Sequence, residues 1–183
     1  MPTSWYQATS VLMDKVMVER PSSVLDIGVG FGKYGVLLRE ALDIPYERYD
    51  KSRWRARIDG IEAFRGYKNP IHDYVYDNLI YNPISDCLPD LGMYDVILMV
   101  DVLEHFTKEQ GMKLLDDLLL HTKALIISTP SNPSPQGEYL GNHFETHLSR
   151  WTPADFAKFK SEVTVLPISD NQAIIAKLRT CLQ

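Results

Sequence analysis

The stretch Val24-Leu-Asp-Ile-Gly-Val-Gly-Phe-Gly32 constrains this chain more than any other. A short apolar run carries a carboxylate at Asp26 and then breaks into glycines at 28, 30 and 32. Helical periodicity resumes over 33–42. The pattern predicts a buried strand over 23–27, a tight turn and a helix, which is the opening of a parallel β–turn–α unit. Glycine suits such a turn because a residue without Cβ takes φ > 0 freely and lets a ligand approach the main chain. The turn would also sit at the positive end of the helix, where unpaired N–H groups point at a ligand. These are the features of a nucleotide-type site.

The rest of the chain alternates in the same way. A leading helix is expected over 4–19, with Tyr6, Val11, Leu12, Val16 and Met17 at helical spacing and Pro21 beyond its end. Strands are expected at 57–61 and 78–82, with charged and Pro-containing residues 43–55 as an insertion before the first of them. Tyr94 to Val100 is almost continuously apolar, as in a central strand covered on both faces. A helix over 108–121, N-capped by Thr107, leads to a strand at Ala124–Ser128. After a Pro-, Ser- and Gly-rich loop, Thr152-Pro153 would open another helix. Runs at 163–166 and 172–178, parted by turn-forming residues, read as an antiparallel hairpin. Strands spaced by helices imply right-handed parallel crossovers. The expected fold is therefore α/β, a Rossmann-like doubly wound sheet, mostly parallel with an antiparallel C-terminal hairpin strand, in a single domain over 1–183.

Bulk properties narrow the function. A chain of 183 residues, 45% hydrophobic and 23% charged, has the composition of an ordinary globule. It has no apolar run long enough to span a bilayer and no secretory pattern at its N-terminus. Cys87 and Cys181 have neither metal nor redox spacing, so reduced thiols and a cytoplasmic location are expected. A net charge of −5 argues against a nucleic-acid partner. Arg48, Lys51, Arg53, Arg55 and Arg57 form a local basic run, read as a solvated insertion, with a rim for an anionic substrate as the other reading.

The carboxylate decides among nucleotide ligands. Gly30-x-Gly32-x-x-Gly35 formally matches a dinucleotide fingerprint, yet Asp26 would repel a pyrophosphate and suits a ligand with a cationic amino group. Asp26-x-Gly28-x-Gly30-x-Gly32 resembles motif I of the class I S-adenosylmethionine-dependent methyltransferases. The resemblance implies a seven-stranded sheet, S-adenosylmethionine as cofactor, and Asp26, Gly28, Gly30 and Gly32 among the residues that bind it. It places an acid on the ribose hydroxyls at the end of the second strand. Glu62 fills that position, in preference to Asp50 in the charged insertion. Where the family often has an acid near the adenine, this chain has Asn82-Pro-Ile84, so Asn82 would meet the amino group and Ile84 cover the ring. Asp77 is the competing residue if the third strand lies at 73–76.

Tyr94-Asp-Val-Ile-Leu-Met-Val-Asp101-Val-Leu-Glu104-His105 resembles the family's motif IV. Asp101 is assigned both to the cofactor and to catalysis, the plainer reading being an N-cap for the next turn. His105 is read as a packed or surface histidine before a general base. In the loop after the fifth strand, His143, Glu145 and His147 alternate. They could hold a metal, or His147 could act as a base beside the acceptor; hydrogen bonding between Glu145 and His147 to pin the loop is the preferred reading, and no metal is expected. Trp5, Tyr6 and Trp151 could form an aromatic wall or simply pack. The tetrapeptides of DNA-base amino-methylation are missing. The expected function is methyl transfer from S-adenosylmethionine to a small-molecule acceptor, with no membrane or nucleic-acid partner. The alternatives are a non-catalytic cofactor-binding module and a nicotinamide-dependent oxidoreductase, the latter opposed by Asp26 and the closing hairpin.

Overall fold

The computed structural model describes residues 4–180. Among them are seven strands: β1 Ser23–Ile27, β2 Arg57–Ile61, β3 Asn78–Ile80, β4 Tyr94–Val100, β5 Thr122–Pro130, β6 Lys160–Ile168 and β7 Asn171–Arg179. They form one sheet in the order β3-β2-β1-β4-β5-β7-β6. β1 to β5 are mutually parallel, and β7 runs antiparallel to both its neighbours. The strand order reverses between β1 and β4, and ligands of open α/β sheets sit at the carboxyl ends beside such a reversal.

Alternating side chains of the central strands feed two cores. On one face Val24, Ile58, Val96, Leu98 and Ile126 meet Leu12 and Val16 of α1 (Thr9–Val18) and Leu38 of α2 (Lys33–Leu42). On the other, Leu25, Ile27, Ile97, Met99 and Leu125 meet Leu114, Leu115 and Leu118 of α5 (Lys108–Leu118). Two short helices complete the connections, α3 (Pro70–Val75) and α4 (Ile84–Cys87). Thr107 caps α5 as expected, in a capping box with Gln110.

Departures from the expected elements have local causes. The leading segment begins as a 3₁₀ turn, Tyr6–Ala8, and Tyr6 is exposed. β5 begins early, at Thr122, through its pairing with β4, and extends to Pro130 through its pairing with β7. Thr152 does act as an N-cap, but the element it opens, Pro153–Phe156, is only a 3₁₀ turn, ended by the packing of Phe156 and the start of β6. Cys87 is a buried free thiol; Cys181 lies outside the described residues.

The 43–55 insertion folds into two 3₁₀ turns, Ile44–Tyr46 and Lys51–Arg53, around a buried ion network. Asp43 is completely buried and accepts from Arg39 at 3.1 Å, Arg48 at 3.2 Å and the Arg55 amide at 2.8 Å. Arg39 also bonds Asp77 at 2.8 Å and stacks 4.3 Å from the Trp54 ring centre. Lys51 bonds the carbonyls of Asp73 and Tyr74 at the end of α3, where the helix dipole favours a cation. Asp77 in turn accepts the Ile58 amide, which puts the network at the amino end of β2. The basic run is therefore knitted into the sheet end opposite the ligand side and is no rim for a substrate. Asp77 belongs to the same network and not to an adenine subsite.

Candidate active site

A cavity of about 490 Å³ lies at the carboxyl ends of β1, β2, β4 and β5, within the usual range for small-ligand sites. Its floor is the glycine turn. Gly28 has φ 75° and Gly30 φ 53°, both in the left-handed region. A Cβ on Gly28 would come within 2.3 Å of Val102 Cγ2, so the turns after β1 and β4 can meet only because that atom is missing. Gly32, at φ 99°, is the N-cap of α2 and faces Ile71 and His72. It shapes the turn from outside the cavity's lining.

Glu62, just beyond β2, ties this turn to its own strand end. One carboxylate oxygen accepts the Gly30 amide and the other the Phe64 amide, each at 2.9 Å. Each oxygen keeps a second lone pair, so a ligand diol can still be accepted. Burial raises the Glu62 pKa above the ordinary range, while the two amides oppose the rise. His72 holds the turn from the far side, its Nε2 donating to the Gly30 carbonyl at 2.9 Å and its Nδ1 accepting from the Tyr81 hydroxyl at 2.8 Å. No motif marks His72 in the sequence, and its role comes only from the fold.

Asp26 stands behind the glycine turn, 2% exposed and outside the cavity's lining, and accepts the Tyr76 hydroxyl at 2.6 Å. Burial pushes its pKa up to about 7; the Tyr76 bond opposes the rise and the Glu62 carboxylate adds to it. Tyr76 can reach Asp26 because Gly35 of α2 leaves room, a Cβ there falling 2.6 Å from the tyrosine ring. The last glycine of the apparent dinucleotide fingerprint is thus a helix-packing residue. At the end of β3, Asn82 is exposed and outside the lining, which runs instead through Pro83, Ile84 and Ser85.

Asp101 closes β4 with φ 52°, unusual for a residue with a Cβ. Its amide donates to the Ser128 carbonyl at 2.8 Å, and the Ser128 hydroxyl donates to its carboxylate at 3.0 Å. It does not cap the next turn, Leu103–His105, which has no side-chain cap. Burial raises its pKa, and Lys33 is among the groups that oppose the rise.

Glu104 is buried, accepts the Thr129 hydroxyl at 3.0 Å, and through its carbonyl receives the amides of Leu148 and Ser149. His105 Nδ1 lies 3.1 Å from the Thr146 carbonyl, and His147 Nδ1 lies 2.6 Å from the Ser134 carbonyl. A carbonyl only accepts, so both neutral rings carry hydrogen on Nδ1 and a lone pair on Nε2. The two rings are 5.0 Å apart and both line the cavity. Glu145 accepts the Tyr67 hydroxyl at 2.7 Å, and its carbonyl accepts from Gln136 at 2.6 Å. Glu145 and His147 therefore both fasten the loop, to separate partners and not to each other. His143 lies tilted against Phe144 and outside the cavity's lining, so His143, Glu145 and His147 do not converge. Trp5 lines the cavity, whereas Trp151 is wholly buried against Phe156.

This arrangement, a glycine turn answered by acids at successive strand ends, is that of a methyl-transfer fold. Residues 4–160 match the family model described as "Methyltransferase domain", and the chain belongs to that family. No curated protein sequence matches it. Among solved structures, the chain is similar to the 1,6-didemethyltoxoflavin-N1-methyltransferase of Burkholderia thailandensis, bound to 1,6-didemethyltoxoflavin and S-adenosylhomocysteine. That likeness has TM-score 0.67 and 17% identity over 96% of this chain and 77% of the other. The N-terminal domain of EvdMO1, in the presence of S-adenosylhomocysteine and D-fucose, gives TM-score 0.62 and 16% identity over 97% and 84%. A SAM-dependent methyltransferase from Archaeoglobus fulgidus gives TM-score 0.61 and 16% identity over 93% of each chain. At these identities the likeness is one of fold, and it agrees with the seven-stranded sheet expected from the motifs.

Proposed function

We propose that this chain transfers a methyl group from S-adenosylmethionine to a small-molecule acceptor held in the same cavity. The observation that carries the reading is the convergence of the Gly28–Gly30 turn, Glu62 and Asp101 on one cavity at the ends of β1, β2 and β4. The residues fit the cofactor. The missing Cβ of Gly28 leaves the main chain open to a ligand, the remaining lone pairs of Glu62 suit two ribose hydroxyls, and Ile84 with Pro83 gives apolar cover for an adenine. Asn82 contributes little beyond its place before Pro83. Bound there, the cofactor supplies a methyl group already activated by a sulfonium.

The chain's own residues then have three tasks. Asp26, steadied by Tyr76 and set behind Gly28, Gly30 and Gly32, attracts the cofactor's cationic amino group. Asp101, fixed by Ser128, orients the groups that meet above β4. His147, its Nδ1 hydrogen committed to Ser134, offers its Nε2 lone pair to the acceptor's proton. A small acceptor is supported by the cavity's size and by the 1,6-didemethyltoxoflavin bound to one of the similar structures. Calorimetry with S-adenosylhomocysteine tests the cofactor half. Glu62→Ala should weaken binding by about 1.5–3 kcal/mol, the worth of hydrogen bonds to a charged group. Unchanged affinity in that variant would remove Glu62 from the site. Labelled methyl incorporation from S-adenosylmethionine into metabolite pools tests the acceptor half.

A further inference from the structure

Three ligating side chains meet in the cavity wall without having been paired by any sequence motif. One ligand atom each of Glu104, His105 and His147 lies within 4.8 Å of the other two. We propose that Glu104, His105 and His147 form a binding site for one divalent first-row cation of the zinc class, open to the cavity and suited to an oxygen of the acceptor. The inference rests on reading the cavity as the acceptor site, and it reassigns the His147 lone pair from a proton to the cation.

Four observations support it. The first is tautomer and orientation. Both imidazoles donate from Nδ1 to a main-chain carbonyl, Thr146 for one and Ser134 for the other, as metal-bound histidines commonly do through their second nitrogen. The second is a supported carboxylate, since Glu104 is held by Thr129 and its own main chain is fixed by Leu148 and Ser149. The third is charge. Glu104, 2% exposed, and Asp101 stand in the same cavity lining, and a dication there offsets the repulsion between their carboxylates. The fourth is chemistry and access. Two imidazoles and one carboxylate suit zinc or another first-row ion and leave coordination positions unfilled, and all three residues line the cavity. The anchoring is mutual. The Leu103–His105 turn supplies two ligands and also holds the loop that brings the third.

The test is a titration of the chelator-stripped full chain with Co²⁺, followed by visible ligand-field absorption, and with Zn²⁺ by calorimetry. One saturable site per chain is expected. His147→Ala and Glu104→Gln should each raise the dissociation constant by about 10-fold or more, since even the loss of a supporting partner has effects of that size. Glu104→Gln keeps the side-chain shape, so it remains decisive if His147→Ala loosens the loop, and thermal melting of each variant reports folding separately. Absence of saturable binding to the wild-type chain, or equal affinity in both variants, would overturn the site. S-adenosylhomocysteine binding is measured on the same preparations. Cofactor binding without cation binding would sink this inference and leave methyl transfer standing. Cation binding without cofactor binding would uphold the site and sink the cofactor reading.

Discussion

At the residue scale the clearest tension is at Asp26, a carboxylate buried among apolar strands with one neutral hydroxyl as its partner. Its pKa in the folded chain, about 7, lies above the ordinary value of 3.8. Folding therefore favours the protonated form. The stability tied to this group is fully present below about pH 4 and is lost as pH rises through 7, on the order of 4 kcal/mol in all. Asp26→Asn keeps a carbonyl for Tyr76 and removes the titration. In the cofactor-free state the variant should melt above the wild type at pH 8 and gain no such advantage at pH 4. It should also bind S-adenosylhomocysteine about 10-fold or more weakly, since an attraction to the cationic amino group is lost. Parallel stability curves for the two proteins across that pH range would refute the assignment. The sequence places Asp26 near the end of β1 and Glu62 and Asp101 just beyond β2 and β4, where the structure has them, because their spacing from glycines and apolar runs is fixed by strand geometry. It did not reveal His72 or Tyr76, which reach the glycine turn from α3 and the residue after it through contacts far apart in sequence. Nor did it reveal that His147 meets His105 and not His143.

The elements divide into those legible from periodicity and those decided by long-range partners. β1, β2, β4 and α2 lie where the sequence pattern places them, because a doubly covered strand and an amphipathic helix each leave a local signal. The 43–55 insertion has none, since its order comes from Arg39 of α2 meeting Asp43 and Trp54 at the two ends of the insertion. That network makes its own prediction. Asp43→Ala takes one of two carboxylate partners from the buried Arg39, leaving it Asp77, and frees Arg48 and the Arg55 amide; it should lower unfolding stability by about 3 kcal/mol in urea titration. Because it sits at the opposite end of the sheet, S-adenosylhomocysteine affinity of the folded variant should stay within about twofold of wild type. A matching loss of affinity would mean that the two ends of the sheet are coupled.

For the whole molecule, a cofactor bound across the ends of three strands should tie the sheet together. S-adenosylhomocysteine at 100 times its dissociation constant should raise the unfolding free energy by about 2.7 kcal/mol. In a chain of this size that corresponds to a rise in melting temperature of roughly 5–10 °C. Differential scanning fluorimetry checks it, and Asp26→Asn, bound about 10-fold more weakly, should show about half of the shift removed at the same ligand concentration. The division of labour within the cavity has a broader consequence. Under the proposed function the cofactor half is built from strand ends and turns before residue 102. Much of the acceptor half is one continuous excursion between β5 and β6, fastened by Tyr67, Gln136 and the main chain of Glu104. Such an excursion is a replaceable cassette. A lineage could exchange it wholesale, keeping the donor machinery intact while acquiring a new acceptor, provided the newcomer preserved those few fastenings.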